Sequence, residues 1–587
     1  MKWISSLVHS QVFFGCVAVL FICVLAPSTG NAQTNPVIEG SDIRPFTING
    51  SVGFISEGYA VNGIEARRPA ASAQVFANTS FTIFGFRSGL NLRYSTESSK
   101  LRQSMNQFNF HGTWKWITLS AGTVSPSFSR FGLSGTTIDG GLLELSPGKW
   151  IFSFTGGRSN RAVQPSAESG FRQAAYEQWL YAGKIGYGSA GSSHFHLSVM
   201  YASDDTTSLE NPGNVKPAQN LNITPDFGIA LFNNVVKIQG LATISAFTRD
   251  LKAPTVPTDN TPIPAFATSI FTPHIGSRID YAANLSGNLN LNVFRMKVDY
   301  QRIQPGFASL GISRIRSDQE QIRVQPQAFL LDRKIRLGLK LAQTRDNLLQ
   351  NRISTQLRRQ AGVNVQSQLS KMLILNTTYS YMINHTKPEN ETPEAQALEQ
   401  KQMSNSIMIQ PTYTLLVGQT AHSFSLAGSY ETLTNEYPGS GNSSSQSNNF
   451  TNINTTLNYS VSLPSGLMLN ASGNYLISDA GATKTSNMGL NLGTGYAFFQ
   501  QKLMVNLNIG LSQNNIDRKQ LGQSADTTAT STSIVAQQGN INLSTTYRLP
   551  NNDNIRLNIR NNNNNQVKGQ GNSFQELQAR LQYQHQF

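Results

Sequence analysis

Two histidines stand two residues apart in the run His194-Phe195-His196-Leu197-Ser198-Val199. In an extended strand, residues i and i+2 share a face. Two imidazoles so placed reach toward one point, as a first-row transition metal asks of nitrogen ligands. No third ligand stands at a fixed spacing from them, although Asp204 and Asp205 lie in the adjoining loop, and Cys16 and Cys23 are far upstream. The expected state is a pair of solvated histidines, with no metal assigned. The second concentration of reactive side chains is basic. Arg295 and Lys297 alternate with Phe294, Met296 and Val298; Arg323 stands between Ile322 and Val324; Lys334, Arg336 and Lys340 oppose Ile335, Leu337 and Leu339. Residues 295–360 hold fourteen Lys or Arg and five Asp or Glu. Basic side chains lined up on one face attract anions and raise their local concentration.

Catalysis finds little support. The chain shows no Ser/His/acid set with recognisable spacing, no phosphate-cradling glycine loop and no zinc signature. It is read as a non-enzyme without a cofactor. The formal charge of +14 falls to +13 without residues 1–32, where Lys2 is the one formal charge. A basic balance invites nucleic acid. Here phosphate-bearing lipid head groups and anionic solutes are the better-fitting partners, and no nucleic acid is expected.

The elements that would position these side chains follow from hydropathy. Lys2, an apolar run from Val12 to Ala26 and the small-residue exit Asn31-Ala32 describe a cleaved secretory signal over residues 1–32. A short periplasmic segment, 33–45, precedes the first strand, leaving no room for an amino-terminal plug domain. Both cysteines fall in the signal, so the exported chain carries no thiol. Charged residues make up only 13%, against roughly 25% in soluble domains. Asn, Gln, Ser, Thr and Gly fill the difference, as suits a wall with one greasy and one neutral-polar face.

Period-two alternation recurs throughout. Leu503, Val505, Leu507, Ile509 and Leu511 alternate with Met504, Asn506, Asn508 and Gly510. The preceding segment does the same through Leu490, Leu492, Thr494, Tyr496 and Phe498, and only a short turn at Gln500-Gln501 divides them. That is a hairpin with one apolar face. Similar hairpins turn at Ser146-Pro147-Gly148, Asn233-Asn234 and Pro464-Ser465-Gly466. Longer polar connectors fall at 204–220, 249–278, 435–449 and 516–533. Short turns alternating with long loops are a feature of outer-membrane barrels. The count is about 26 strands (24–26), each near the nine to eleven residues a tilted membrane strand requires. Trp114, Trp116, Trp150, Tyr379, Tyr381, Tyr430 and Tyr459 stand where aromatic girdles would use them.

The last residues, Leu577 to Phe587, alternate in the same way and finish on phenylalanine. This resembles the closing strand of bacterial outer-membrane barrels, which the barrel-assembly machinery reads; Leu581, Tyr583 and Phe587 would form that signal. His585 departs from the pattern, where an apolar residue is expected. Gly63-Ile64-Glu65-Ala66-Arg67-Arg68-Pro69, Phe131-Gly132-Leu133-Ser134-Gly135, Glu144-Leu145-Ser146-Pro147-Gly148-Lys149 and Gln304-Pro305-Gly306-Phe307-Ala308-Ser309-Leu310-Gly311 add a further likeness. Together they resemble a group of large, functionally uncharacterised outer-membrane β-barrel proteins of Bacteroidota-type bacteria. The resemblance implies fold and location and adds no activity.

The expectation is one closed antiparallel transmembrane β-barrel over residues 46–587 in the outer membrane of a Gram-negative bacterium, with residues 46–59 pairing to the last strand. It is read as a pore or transport component with a basic lumen strip at Arg295, Lys297, Arg323, Lys334, Arg336 and Lys340, for polar or anionic solutes or polymer. The alternative is a structural or secretion-associated barrel whose lumen a partner protein occupies. A barrel this wide needs narrowing. The proline-rich connector 249–278 is the expected internal candidate, and a lumen-plugging or periplasmic partner the external one.

Overall fold

The computed structural model describes residues 46–96, 106–165, 174–189, 191–257, 270–438, 449–520 and 530–587. The signal and the segment 33–45 lie outside them. In the described residues the alternating segments form one antiparallel sheet of 26 strands, from β1 (Phe46–Asn62) to β26 (Phe574–Gln586). Each strand pairs with its sequence neighbours, and β1 pairs with β26 from Ser51 opposite Gln586 to Asn62 opposite Gln575. The sheet is a closed barrel. Closure satisfies every ladder group where no water can do so.

Phe587 completes the seam. Its N–H donates to the Gly50 carbonyl at 3.1 Å, and its carbonyl accepts from the Gly50 N–H at 2.9 Å. A Cβ at Gly50 would stand 2.9 Å from the Phe587 ring, so glycine lets that ring lie over β1. Leu581, Tyr583 and Phe587 share the outward parity of β26. His585 shares it too and is paired: its Nδ1 lies 2.6 Å from Asp553 Oδ1, which also accepts from the Tyr583 hydroxyl at 3.0 Å.

Tight turns gather at the end where Phe46 and Phe587 lie. They need left-handed backbone, as at Asn233 (φ 54°) and Asn234 (φ 69°), which asparagine tolerates better than most residues. The longer connections gather at the opposite end. Strand length departs from expectation: the strands run from 8 residues at β4 (Gln107–Trp114) to 19 at β24 (Thr530–Arg548). Both ends of the connector expected at 516–533 are strand, because β23 (Leu503–Gln520) and β24 pair out to Gln520 opposite Thr530; residues 521–529 lie outside the described residues. Above the hydrocarbon both faces meet water, so alternation stops while the ladder continues. Polar sequence there was no sign of a loop.

Candidate functional site

Side chains of one parity face lipid. Trp114, Trp150, Trp179, Tyr181 and Phe195 are all exposed there. Those of the other parity line the lumen, which has two unlike halves.

The first half is filled by the chain itself. Residues 125–137 join β5 (Ile117–Val124) to β6 (Ile138–Leu145), and residues 304–318 join β13 (Phe294–Ile303) to β14 (Gln319–Leu330). Both segments fold into the barrel and meet. Ser134 N–H donates to the Gly311 carbonyl at 2.9 Å, forming a parallel bridge between Ser134 and Ile312. The Phe131 and Phe307 rings meet edge-on at 6.3 Å. A side chain at Gly311 would run into the Gly132 carbonyl, 2.3 Å from its Cβ. The pair then docks on the lumen faces of β8 (Gln178–Gly188), β9 (His194–Asp204), β10 (Gln219–Leu231), β11 (Val236–Thr248) and β12 (Arg278–Asn290). Phe128 and Leu133 pack with Leu180, Ala182, Met200 and Ala202; Phe131 and Phe307 pack with Ala282 and Ile303.

Polar groups fix the register of this plug. Asn222 Nδ2 donates to Ser309 Oγ at 2.8 Å, which donates to the Gly132 carbonyl at 2.8 Å. Leu310 N–H donates to Asn220 Oδ1 at 3.1 Å, and Ser245 Oγ to the Ala308 carbonyl at 2.6 Å. Arg130 donates to Gln301 Oε1 at 2.7 Å, and Lys184 Nζ to the Phe128 carbonyl at 3.2 Å. The far end of the second segment is held by Asp318, which accepts from Leu348 N–H at 2.9 Å and pairs with Arg352 at 2.8 Å.

The expected internal candidate is described only at its two ends. In the connector 249–278 the described residues put Phe271 on Leu221, Ala246 and Tyr201, which have the outward parity of Phe227 and Val199. Residues 258–269 lie outside the described residues. Among the described residues, segments 125–137 and 304–318 narrow the lumen. The sequence held a signal for them. Trp179-Leu180-Tyr181-Ala182 and Val199-Met200-Tyr201-Ala202 are apolar on both parities, which a wall strand needs only where its inner face is also covered.

The basic side chains are next along the wall. Cross-strand register puts Arg295 opposite Gln327, Lys297 opposite Gln325 and Asp299 opposite Arg323. Between β14, β15 (Ile335–Arg345) and β16 (Ser354–Gln368), Arg336 lies opposite Phe329 and Gln366, and Lys340 opposite Gly362. Arg295, Lys297, Arg323, Arg336 and Lys340 therefore share the lumen parity. Arg295, Lys297 and Lys340 line one cleft of about 570 Å³. Three guanidiniums, of Arg295, Arg333 and Arg336, surround the Phe329 ring at 5.1, 5.6 and 5.9 Å. Lys334 does not belong to the wall: it lies in the turn 331–334, where its N–H donates to the Leu331 carbonyl.

Not every charge of this stretch faces inward. Arg302, Glu320 and Arg345 have outward parity, and Glu320 offsets one of the two positive charges, lying 3.3 Å from Arg302 and 3.2 Å from Arg345. They sit at the long-loop ends of their strands, where the penalty for outward charge falls to about 0–1 kcal/mol.

His194 and His196 also face the lumen, and their partner is neither Asp204 nor Asp205. Those stand at and beyond the other end of β9. Cross-strand pairing puts Asp226 of β10 opposite His196. Its Oδ1 lies 3.4 Å from His194 Nε2 and its Oδ2 3.9 Å from His196 Nδ1. A partner on a neighbouring strand has no fixed sequence spacing, so linear reading could not supply it.

No known protein family and no curated protein matches the chain. Among solved structures it is similar to the P pilus usher (PapC) translocation pore, at 10% identity over 91% of this chain and 99% of that one, with a TM-score of 0.32. Acinetobacter baumannii OccAB4 is similar at 11% identity, over 70% and 99% of the two chains, with a TM-score of 0.27. For Pseudomonas aeruginosa OccK11 (OpdR) the values are 10%, 63% and 91%, with a TM-score of 0.28. The barrel itself is established by the pairing of β1 with β26.

Proposed function

We propose that this chain is an outer-membrane pore, exported through a cleaved signal, that narrows its own lumen and passes polar solutes with a preference for anions. The observation that carries this reading is the division of the lumen. Two folded-in segments cover one wall, and beside them Arg295, Lys297 and Lys340 line a cleft, with Arg336 sharing the Phe329 ring with Arg295. Basic side chains in a narrowed passage concentrate anions and lower their entry barrier. The Phe329 platform holds three guanidiniums close together, so an anionic group entering there relieves their mutual repulsion.

Planar-bilayer recording of the purified protein tests it. Steady channels with an anion-selective reversal potential are expected, and changing Arg295, Lys297, Arg336 and Lys340 together to Gln moves that potential toward zero. Cation preference in the native protein, or no change in the variant, removes the proposal.

A second reading draws on the part of the lumen that the described residues leave uncovered: a secretion-associated barrel filled by a partner chain. Silent bilayers together with a subunit that co-purifies from native membranes favour it. Kinship with the Bacteroidota-type group also remains a proposal. Two of its four motifs form the plug, which gives those residues a structural reason to recur.

A further inference from the structure

We infer that His194, His196 and Asp226 form a binding site for one divalent transition-metal ion of the zinc, nickel or copper class, built into the lumen wall beneath the plug. The inference goes beyond the pore reading and does not depend on which solutes pass.

The argument starts from where each imidazole spends its N–H. His194 Nδ1 lies 3.0 Å from the Ser192 carbonyl, and His196 Nε2 lies 3.1 Å from the Gly188 carbonyl. A carbonyl only accepts, so each ring donates there and is fixed in one tautomer. The opposite nitrogens, His194 Nε2 and His196 Nδ1, then carry lone pairs. Both face the Asp226 carboxylate, which also only accepts, with His194 Nε2 at a long hydrogen-bond distance of 3.4 Å. His196 Nδ1 is buried and makes no hydrogen bond. Three acceptors facing one another repel unless a cation, either a proton or a metal ion, stands among them. A histidine that gives its second N–H to a backbone carbonyl is the usual outer support of a metal ligand.

The geometry fits such an ion. The three ligand atoms lie within 4.8 Å of one another, and bonds of about 2.0–2.2 Å need only a small closure of Asp226. The rings stack at 4.6 Å and 27°. Their space is made by glycines on the flanking strands. A Cβ at Gly186 would meet His196 Cδ2 at 2.0 Å, and one at Gly228 would meet His194 Cε1 at 2.4 Å.

Both imidazoles are buried, while the Asp226 side chain is 25% exposed, so the remaining coordination positions open to the lumen. Two imidazoles and one carboxylate suit zinc, nickel or copper better than magnesium or calcium. Lys184, on the same wall, donates to the Phe128 carbonyl. Other histidine–carboxylate contacts, His385 with Glu399 and His585 with Asp553, are simple pairs; among the described residues only this group offers three ligands. Thr224, two residues from Asp226 on β10, accepts from Ser129 of the plug at 3.4 Å. The ion would thus fasten β9 to β10 next to the plug's seat.

The test uses the whole barrel, stripped with EDTA and kept folded in detergent at pH 7.5. Titration with Zn²⁺ is followed by calorimetry and by metal analysis. One ion per chain is expected, with the affinity falling by more than roughly 10-fold in His194→Gln, His196→Gln and Asp226→Asn. No stoichiometric uptake by the native protein, or equal uptake by the triple variant, overturns the site. Because a variant can fail to fold, Cu²⁺ bound to the native barrel provides a second measurement. Electron paramagnetic resonance should show two imidazole nitrogens, and an all-oxygen signature overturns the site as well.

Discussion

The two sides of this lumen were built by different rules. On the side of β8 to β13 the strands are 10 to 13 residues long, β8 and β9 turn Leu180, Ala182, Met200 and Ala202 inward, and two connections fold inward to cover them. On the side of β20 (Asn449–Ser462), β21 (Met468–Asp479), β22 (Thr483–Phe498) and β23, the strands are 12 to 18 residues long. There the inner face is asparagine, serine and glycine. From Asn449 to Ile516 the only charged residues are Asp479, Lys484 and Lys502, at strand ends or in a turn. Its glycines make room for neighbouring amides: a Cβ at Gly493 would meet Asn470 Oδ1 at 1.9 Å and Asn508 Oδ1 at 2.5 Å. One side devotes its residues to an inner cover, the other to a taller wall that is bare among the described residues. The passage that remains is bounded by both.

The contrast can be broken most strongly at the plug's aromatic contact. Phe131→Ala with Phe307→Ala removes two buried rings, about 3–5 kcal/mol each. The segments should detach while the wall keeps its ladder. Single-channel conductance should rise with the β-rich circular dichroism unchanged; unaltered conductance would mean the plug does not narrow the path. Asp318→Ala is a smaller blow to the same side, about 1–3 kcal/mol from donors left without their acceptor. It should produce flickering openings rather than a steady increase, visible in the same recordings.

On the bare wall, Asn470→Asp with Asn508→Asp should move the reversal potential toward cations by less than the four-residue neutralisation of the basic cleft does. An equal or larger shift would put the conducting path against the asparagines.

The slightest effect belongs to the rim. Lys216 Nζ at 2.8 Å from Asp250, helped by the Lys252 N–H, holds the Asp250 carboxyl below its ordinary value. A depressed carboxyl lends stability above its unfolded value, about 4, and loses it as pH falls through the folded one. Protease resistance of the rim near Asp250 should be level from pH 7 to 5 and decline only below about 4.

Wall and closure were legible because lipid on one face and water on the other stamp a period of two on every strand, as Leu503 to Leu511 shows. The hairpin turns, the seam and the inner placement of Arg295, Lys297, Arg323, Arg336 and Lys340 followed from parity alone. What stayed hidden depended on partners distant in sequence. The plug pairs Gly132 with Gly311, and Asp226 joins His194 and His196 across a strand boundary. The apolar doublets at Leu180 and Met200 were present but look like ordinary strand cores until something is known to cover them. The upper part of β23 was missed for the opposite reason: Asp517, Arg518 and Lys519 are charged and exposed in succession and carry no alternation.

The bond between Phe587 and Gly50 has a bearing on how long the molecule lasts. A ring of strands offers no end from which to peel, so the first rupture must break a full ladder before any fragment gains freedom. Endurance then comes from the height of that barrier, and a barrel only modestly favoured at equilibrium can outlive harsh detergent.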